Sequence, residues 1–341
     1  MRTFCVLMIL TAFTSVGDEQ SAPVELFFST PRTEYVIGDP IPVTLQIRAK
    51  DTSRLLEYSD DAFRNFYSNL RVMRSDGVRL GHRRIRDGHA YGEKGWGTVA
   101  TNGAVVKNFD LTEVYSDVTY FQRPHSLTAT GEYGVVSHSE QMAIRYVGVT
   151  SNLWVGAVTS APLAIKIIGV DSNSLQIARQ VLSGEGTDRS VQLRALTKMQ
   201  YSDGKLTTDD LVLLRRLLRN PNVSFKNKVI RVLGVKASED GFKIISNVLA
   251  TEKNPFVRSE AIGALEGYNT LAARKLLLEE CKSGKERSYR AAVMSLGEVG
   301  DESCIDVLQE IAKTDETEWV RERALESIKK IEERGSKTLI P

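Results

Sequence analysis

The chain has 341 residues, 42% of them hydrophobic and 26% charged, the balance of a folded protein with room for two or three domains. Its formal net charge is only +2, so no global excess directs it to nucleic acid or to a membrane surface. Three cysteines in the whole chain do not make a disulfide framework.

The N-terminus reads MRTFCVLMILTAFTSVGDEQ. A positive Arg2, an apolar run from Phe4 to Phe13 and the small residues Ser15 and Gly17 form the pattern of a secretory signal peptide. The expectation is a leader over residues 1–17, with cleavage as late as residue 22, and a secreted or periplasmic mature chain. The run is shorter than the roughly 20 residues a membrane span needs, so no stable span is expected after leader removal. Without cleavage, the chain reads as a cytoplasmic adaptor.

From Val24 to Ile168 the apolar pattern has a period of two, clearest in Ile41-Pro-Val43-Thr-Leu45-Gln-Ile47 and Leu163-Ala-Ile165-Lys-Ile167. Such alternation gives each strand one core face and one solvent face. Asp76-Gly77 and Asn102-Gly103 are tight-turn signals between the runs. Many short strands with regular turns predict an antiparallel β-sandwich over residues 23–169. Leu127-Thr-Ala-Thr-Gly131-Glu-Tyr133 resembles the approach to a tyrosine corner. On that feature the unit looks immunoglobulin-like, of the kind found in bacterial exported proteins, although it lacks the inter-sheet cysteine pair.

Between the strands, Gly81 to Gly103 reads as a long glycine-dense loop carrying His82, Arg83, Arg84, Arg86, His89, Tyr91 and Trp96. Arginines recognise anions and exposed aromatics offer stacking surface. Tyr91 and Trp96 are therefore candidate partner contacts. The alternative to a solenoid-based function is an enzyme, inhibitor or binding protein acting through this loop on envelope glycans or proteases. The His spacing matches no metal motif, and no metal or cofactor is expected.

After Asp171 the period becomes helical and the sequence repeats itself. The pattern apolar-(Arg/Lys)-x-x-small-x-x-x-Leu starts at Val191, Phe225, Val257, Ser288 and Val320, at spacings of 34, 32, 31 and 32 by subtraction. Four residues on stand Ala195, Val229, Ala261, Ala292 and Ala324; eight on stand Met199, Leu233, Leu265, Leu296 and Ile328. Steps of four and eight share one helix face. Second helices are expected near Leu211–Leu218, Phe242–Leu249, Leu271–Leu278 and Ile305–Ile311, with an unpaired helix at Leu175–Leu182. Tandem helical hairpins form an α-solenoid, here over residues 170–336. LGEVGD at Leu296–Asp301, FVRSEAIGAL and WVRERALESI resemble the bacterial HEAT-repeat family. The resemblance implies a curved stack whose second helices line the concave side, and commonly protein binding.

The fold class is thus multidomain α and β: an immunoglobulin-like sandwich followed by a HEAT-like solenoid. Within LGEVGD, Gly297 and Gly300 are expected to supply helix-ending backbone angles, and Asp301 to cap the next helix. Cys281 and Cys304 are offset by eight residues between adjacent repeats, about 12 Å along a helix. That exceeds the roughly 7 Å a disulfide tolerates between Cα atoms, so two free, buried thiols are expected. Asn222-Val-Ser224 is a glycosylation sequon.

The solenoid surface supplies the remaining candidates. Arg216, Lys282 and Lys313, with Arg219 and Lys253 three residues further along their repeats, draw a mostly basic edge. Its functional reading is a rim for an acidic partner; its structural reading is cations stabilising the ends of second helices. Lys243, Asn247, Lys275, Glu279, Asp306 and Glu310 form mixed-charge rows on the second helices. Mixed sign disfavours nucleic acid. No Gly-x-Ser-x-Gly elbow, phosphate loop or His-Glu-x-x-His occurs. The sequence therefore reads as a non-enzymatic protein-binding scaffold.

Overall fold

A computed structural model describes residues 24–49, 56–59, 71–74, 96–99, 104–114, 125–130, 132–135, 156–184, 186–283 and 286–338. The leader segment, Tyr91 and most of the Gly81–Gly103 stretch lie outside them. The chain divides into two compact units at Gly169 and Val170.

The N-terminal unit is built of short strands: β1 (Val24–Ser29), β2 (Glu34–Val36), β3 (Pro42–Ala49), β4 (Leu56–Ser59), β5 (Arg71–Arg74), β6 (Trp96–Val99), β7 (Ala104–Asp110), β8 (His125–Thr130), β9 (Glu132–Val135), β10 (Gly156–Thr159) and β11 (Leu163–Ile168). They pair as β1-β3-β7, β2-β11-β8-β5, β9-β10 and β4-β6. The alternation sets the burial. Val43 and Leu45 of β3 and Ile165 and Ile167 of β11 are buried, while Pro42, Ala164 and Lys166 face solvent. Asp110 ties β7 to β3, its Oδ1 accepting from the Ile41 amide at 3.0 Å.

Two expectations are corrected in this unit. β2 pairs with β11 in parallel, Tyr35 opposite Ile167, so the strands are not uniformly antiparallel. Trp96 begins a strand, with Ser59 as its partner across β4 and β6, so the stretch to Gly103 is not one loop. Tyr133 sits in β9 opposite Val158; its side chain lies outside the described residues.

The C-terminal unit is helical throughout its described residues. Its helices are α1 (Ser172–Ser183), α2 (Arg189–Tyr201), α3 (Thr208–Leu217), α4 (Val223–Lys236), α5 (Glu239–Thr251), α6 (Pro255–Ala264), α7 (Leu271–Ser283), α8 (Glu286–Val299), α9 (Ile305–Thr314) and α10 (Glu318–Thr338). Side-chain caps start most of them. Asp171, Asp188, Asn222, Ser238 and Asn254 each accept a backbone amide of the first turn, satisfying donors that a helix start leaves unpaired. Thr207 and Asp210 form a full capping box on α3. The sequon asparagine Asn222 is thereby engaged as the α4 cap, accepting from Phe225 at 3.0 Å.

Even-numbered helices are the first helices of the repeats and odd-numbered ones the second. Every repeated position picked out by period four and eight is buried, from Ala195 and Met199 to Ala324 and Ile328. First helices of successive repeats pack closely along their length, whereas successive second helices touch at few points. Small side chains explain the close row. A Cβ on Gly234 would stand 2.8 Å from the Ala264 Cβ, and one on Gly267 only 2.0 Å from the Gly234 carbonyl oxygen.

The Leu296–Asp301 stretch is also corrected. Gly297 lies inside α8 with no positive φ; a Cβ there would meet Ser327 Oγ at 2.6 Å. A Cβ on Gly300 would meet the Leu296 carbonyl oxygen at 2.4 Å and the Ile331 Cδ1 at 3.0 Å. Gly297 therefore admits α10 against α8, whereas Gly300 ends α8 as expected, its amide donating to the Leu296 carbonyl at 2.7 Å. Asp301 caps a 3-10 turn, Glu302–Cys304, that precedes α9. Cys281 and Cys304 are both buried and unpaired. Burial pushes the Cys281 thiol up to about 12, so it stays protonated and unreactive near neutral pH.

Candidate functional site

What holds the second helices in place distinguishes one junction from the others. Arg179 of α1 forks onto Asp210 of α3, with both hydrogen bonds at 2.8 Å. Burial pushes the Asp210 carboxyl up, but the Arg179 fork and the Thr207 bonds outweigh it and hold the group below the usual carboxylate range. Arg258 of α6 bonds the Leu249 carbonyl in α5 and the Glu280 carboxylate in α7, strapping those two together. Arg274 of α7 lies 3.0 Å from Asp301, just before α9. Arg179 and Arg258 each place a guanidinium where it satisfies two acceptors at once, whereas Arg274 meets Asp301 as an ion pair.

The α3–α5 junction has no such strap. At the α5–α7 junction the strap comes from the residue one past the repeat start, Arg258, which reaches back to α5; in the last repeat the same position, Arg321, bonds the Asp315 and Glu316 carbonyls of the turn before its own helix at 2.8 and 3.2 Å. In the α4 repeat that position is Lys226. Its ammonium pairs forward with Glu252 at 2.6 Å, holding that carboxyl below its usual range. Among the described residues no hydrogen bond or ion pair joins α3 to α5.

A groove of about 790 Å³ opens at this junction, within the range of ligand-binding clefts. Its floor is apolar: Ile244, Val248 and Val257 are buried there, with Leu218 half-buried. Its walls carry Arg215 and Arg219 from the end of α3, Asn247 and Thr251 from α5, and Lys253 just beyond. Arg215, Arg219 and Lys253 are exposed, and none has an acidic partner among the described residues. The one carboxylate in the lining, Glu252, is occupied by Lys226.

The predicted residues divide accordingly. Asn247 lines the groove. Arg216 does not. Its guanidinium donates to the Leu182 and Ser183 carbonyls at 3.2 and 3.3 Å, closing the C-terminus of α1, which is the structural reading of the basic edge. Lys243 is exposed but held by Glu239 and Asp240 on its own helix at 3.1 and 2.9 Å. Lys275, Glu279 and Lys282 lie on α7 and Asp306, Glu310 and Lys313 on α9, all exposed and none lining the groove. Trp96 starts β6.

Arg215 and the role of Lys226 are missed by position counting along the repeats. The sequence signal for them is Arg215-Arg216-Leu-Leu-Arg219, with two arginines one helical turn apart on one face. Among the described residues no helix is long and apolar enough to cross a membrane, and no group of three or more His, Cys, Asp or Glu residues is placed to hold a metal ion.

Residues 275–340 match the HEAT-repeat family. No curated protein matches the chain. Among solved structures, human deoxyhypusine hydroxylase in complex with glycerol is similar at 17% identity, over 48% of this chain and 64% of that one, with a TM-score of 0.33. An engineered protein is similar at 18% identity, over 48% of this chain and 81% of that one, also with a TM-score of 0.33. The chain spans less than two thirds of the hydroxylase's length.

Proposed function

We propose that the chain is a non-enzymatic scaffold or adaptor that binds a protein partner through the second-helix face of its repeats. The supporting observation is the unstrapped α3–α5 junction, where an apolar floor and polar walls face solvent. A centre of desolvated apolar contact ringed by polar groups is the composition of a binding patch. The HEAT-repeat match at residues 275–340 agrees with this role, since stacked repeats present extended surfaces. The mixed charge of α5, α7 and α9 favours a protein over nucleic acid. We read the strand-built N-terminal unit as an immunoglobulin-like sandwich, on the pattern of its alternating strands. We place the site of action outside the cytoplasm, on the pattern of residues 1–17.

The test is capture of the partner from an envelope fraction with the full chain and two variants. One carries Asn247→Asp, Lys275→Glu and Lys313→Glu on the second-helix face. The other carries Val235→Asp and Met294→Asp, which replace exposed apolar residues of the first helices. Loss of the partner only in the first variant supports the reading. Loss only in the second variant, or in neither, contradicts it. N-terminal sequencing of the exported chain tests the location: a start between residues 18 and 23 agrees with it, and an intact Met1 contradicts it.

A further inference from the structure

We infer that the α3–α5 groove takes an extended acidic peptide segment, whose carboxylates are received by Arg215, Arg219 and Lys253. The inference rests on the proposed protein-binding role and names the chemistry of the partner at that surface.

Three observations converge. The groove carries unbalanced charge: Lys226 and Glu252 neutralise each other, and the three remaining cations have no anion among the described residues. Unpaired cations beside an apolar floor repel one another and gain from an anion that enters. Second, the same repeat position that straps α5 to α7 through Arg258 is a lysine here, turned to its own repeat. The junction lacks an acceptor-to-donor bridge, and a carboxylate spanning the Arg219 and Lys253 walls would supply one. Third, Asn247 lines the same groove as the cations and is exposed, and its side-chain amide both donates and accepts. Such a group suits the peptide backbone between two acidic side chains. Leu218, Ile244 and Val248 beneath accept the apolar stems and any aliphatic residue of the segment.

Other surfaces carry the argument less far. Trp319 is 40% exposed and lies under the Arg290 and Arg323 guanidiniums at 5.9 and 5.5 Å, but those arginines already stack on it. Lys228 is largely enclosed and donates to Gln200 at 2.8 Å, which leaves it no access to a ligand.

The experiment is fluorescence anisotropy of a labelled 12-residue peptide of alternating Glu and Gly, titrated with the full-length chain. A peptide of alternating Lys and Gly and a 12-nucleotide oligothymidylate are run beside it. The acidic peptide is expected to bind, weakening as salt rises, and the other two to bind at least about tenfold more weakly. Arg215→Glu with Arg219→Glu should weaken acidic-peptide binding by at least about tenfold. Arg189→Glu with Lys329→Glu changes net charge by the same amount at exposed positions away from the groove and should change it less than about twofold. No peptide binding, equal losses in the two double variants, or tighter binding of the oligonucleotide would each overturn the inference. The envelope capture above reads a different variant set, so the broader role survives if only this groove fails.

Discussion

Along the first helices Gly234 meets Ala264 and Gly297 meets Ser327, and the helices close on one another with little room left. Across the second helices the contacts are few, and single arginines hold neighbouring repeats in place. The first row gains its stability from packing, which is distributed over many atoms. The second row depends on individual polar straps, so the loss or absence of one strap opens the surface locally without disturbing the stack. A repeat array can therefore open a groove at a junction where no strap is placed, here the one where Lys226 stands in the position that Arg258 holds in the α6 repeat.

The sharpest test of that contrast is removal of a strap. Arg258→Ala removes the guanidinium from the Glu280 carboxylate, whose side chain is only 12% exposed, and from the Leu249 carbonyl. Breaking a buried pair of this kind costs about 3–5 kcal/mol, measured as a lower urea midpoint. Overpacking the first row should cost less. A Cβ on Gly267 meets a backbone oxygen that has little room to shift, so Gly267→Ala is expected to cost about 1–3 kcal/mol. A loss below about 0.5 kcal/mol would show that the two helices part easily, and the comparison would fail on its tight side.

The next effect is smaller and separates stability from binding. The Ser303 hydrogen bond holds the Asp301 carboxyl below its usual range, with Arg274 adding to the effect. Asp301→Ala removes a cap worth about 1 kcal/mol together with the Arg274 ion pair at the α7–α9 junction, and should leave acidic-peptide affinity at the α3–α5 groove unchanged. The accompanying stability is present at neutral pH and is lost as pH falls through the lowered pKa, so the difference between wild type and variant should shrink in acid.

A pH-dependent effect lies in the first row. Burial pushes the Lys228 ammonium down to about 8, with Arg231 adding to the shift and Glu260 opposing it. Below that pH the folded and unfolded chains both carry the charge, and the folded state bears the cost of its burial. As pH rises from about 8 toward the unfolded value of about 10.4, the folded chain releases its proton first, so stability rises. The melting temperature of the wild type should therefore climb relative to Lys228→Met between pH 7.5 and 9.5. A parallel course of the two proteins would place Lys228 in water.

Much of the architecture is legible in the sequence because it is periodic. Ala195, Val229, Ala261, Ala292 and Ala324 announce the buried face through spacing alone, and the structure buries all five. The alternation of β3 and β11 is equally plain. What spacing does not carry is the geometry of single contacts. The parallel pairing of Tyr35 with Ile167 joins residues far apart in the chain, and no local pattern encodes it. Gly300 ends α8 as its pattern suggests; Gly297 reads as a second helix breaker, but its actual reason, the nearness of Ser327, belongs to the next repeat. Counting equivalent positions selected Arg216, which is engaged by the Leu182 and Ser183 carbonyls. It passed over Arg215, one residue before it and turned to the groove. Lys226 is informative only when set beside Arg258 and Arg321 in three dimensions.

The central claim, that recognition belongs to the open second-helix row, is tested most directly by amide hydrogen exchange on the full chain with and without saturating acidic peptide. The account predicts added protection in 215–220 and 247–253, at the ends of α3 and α5, with the first helices α6, α8 and α10 unchanged. Protection confined to the first helices, or to residues 81–103 of the N-terminal unit, would contradict it.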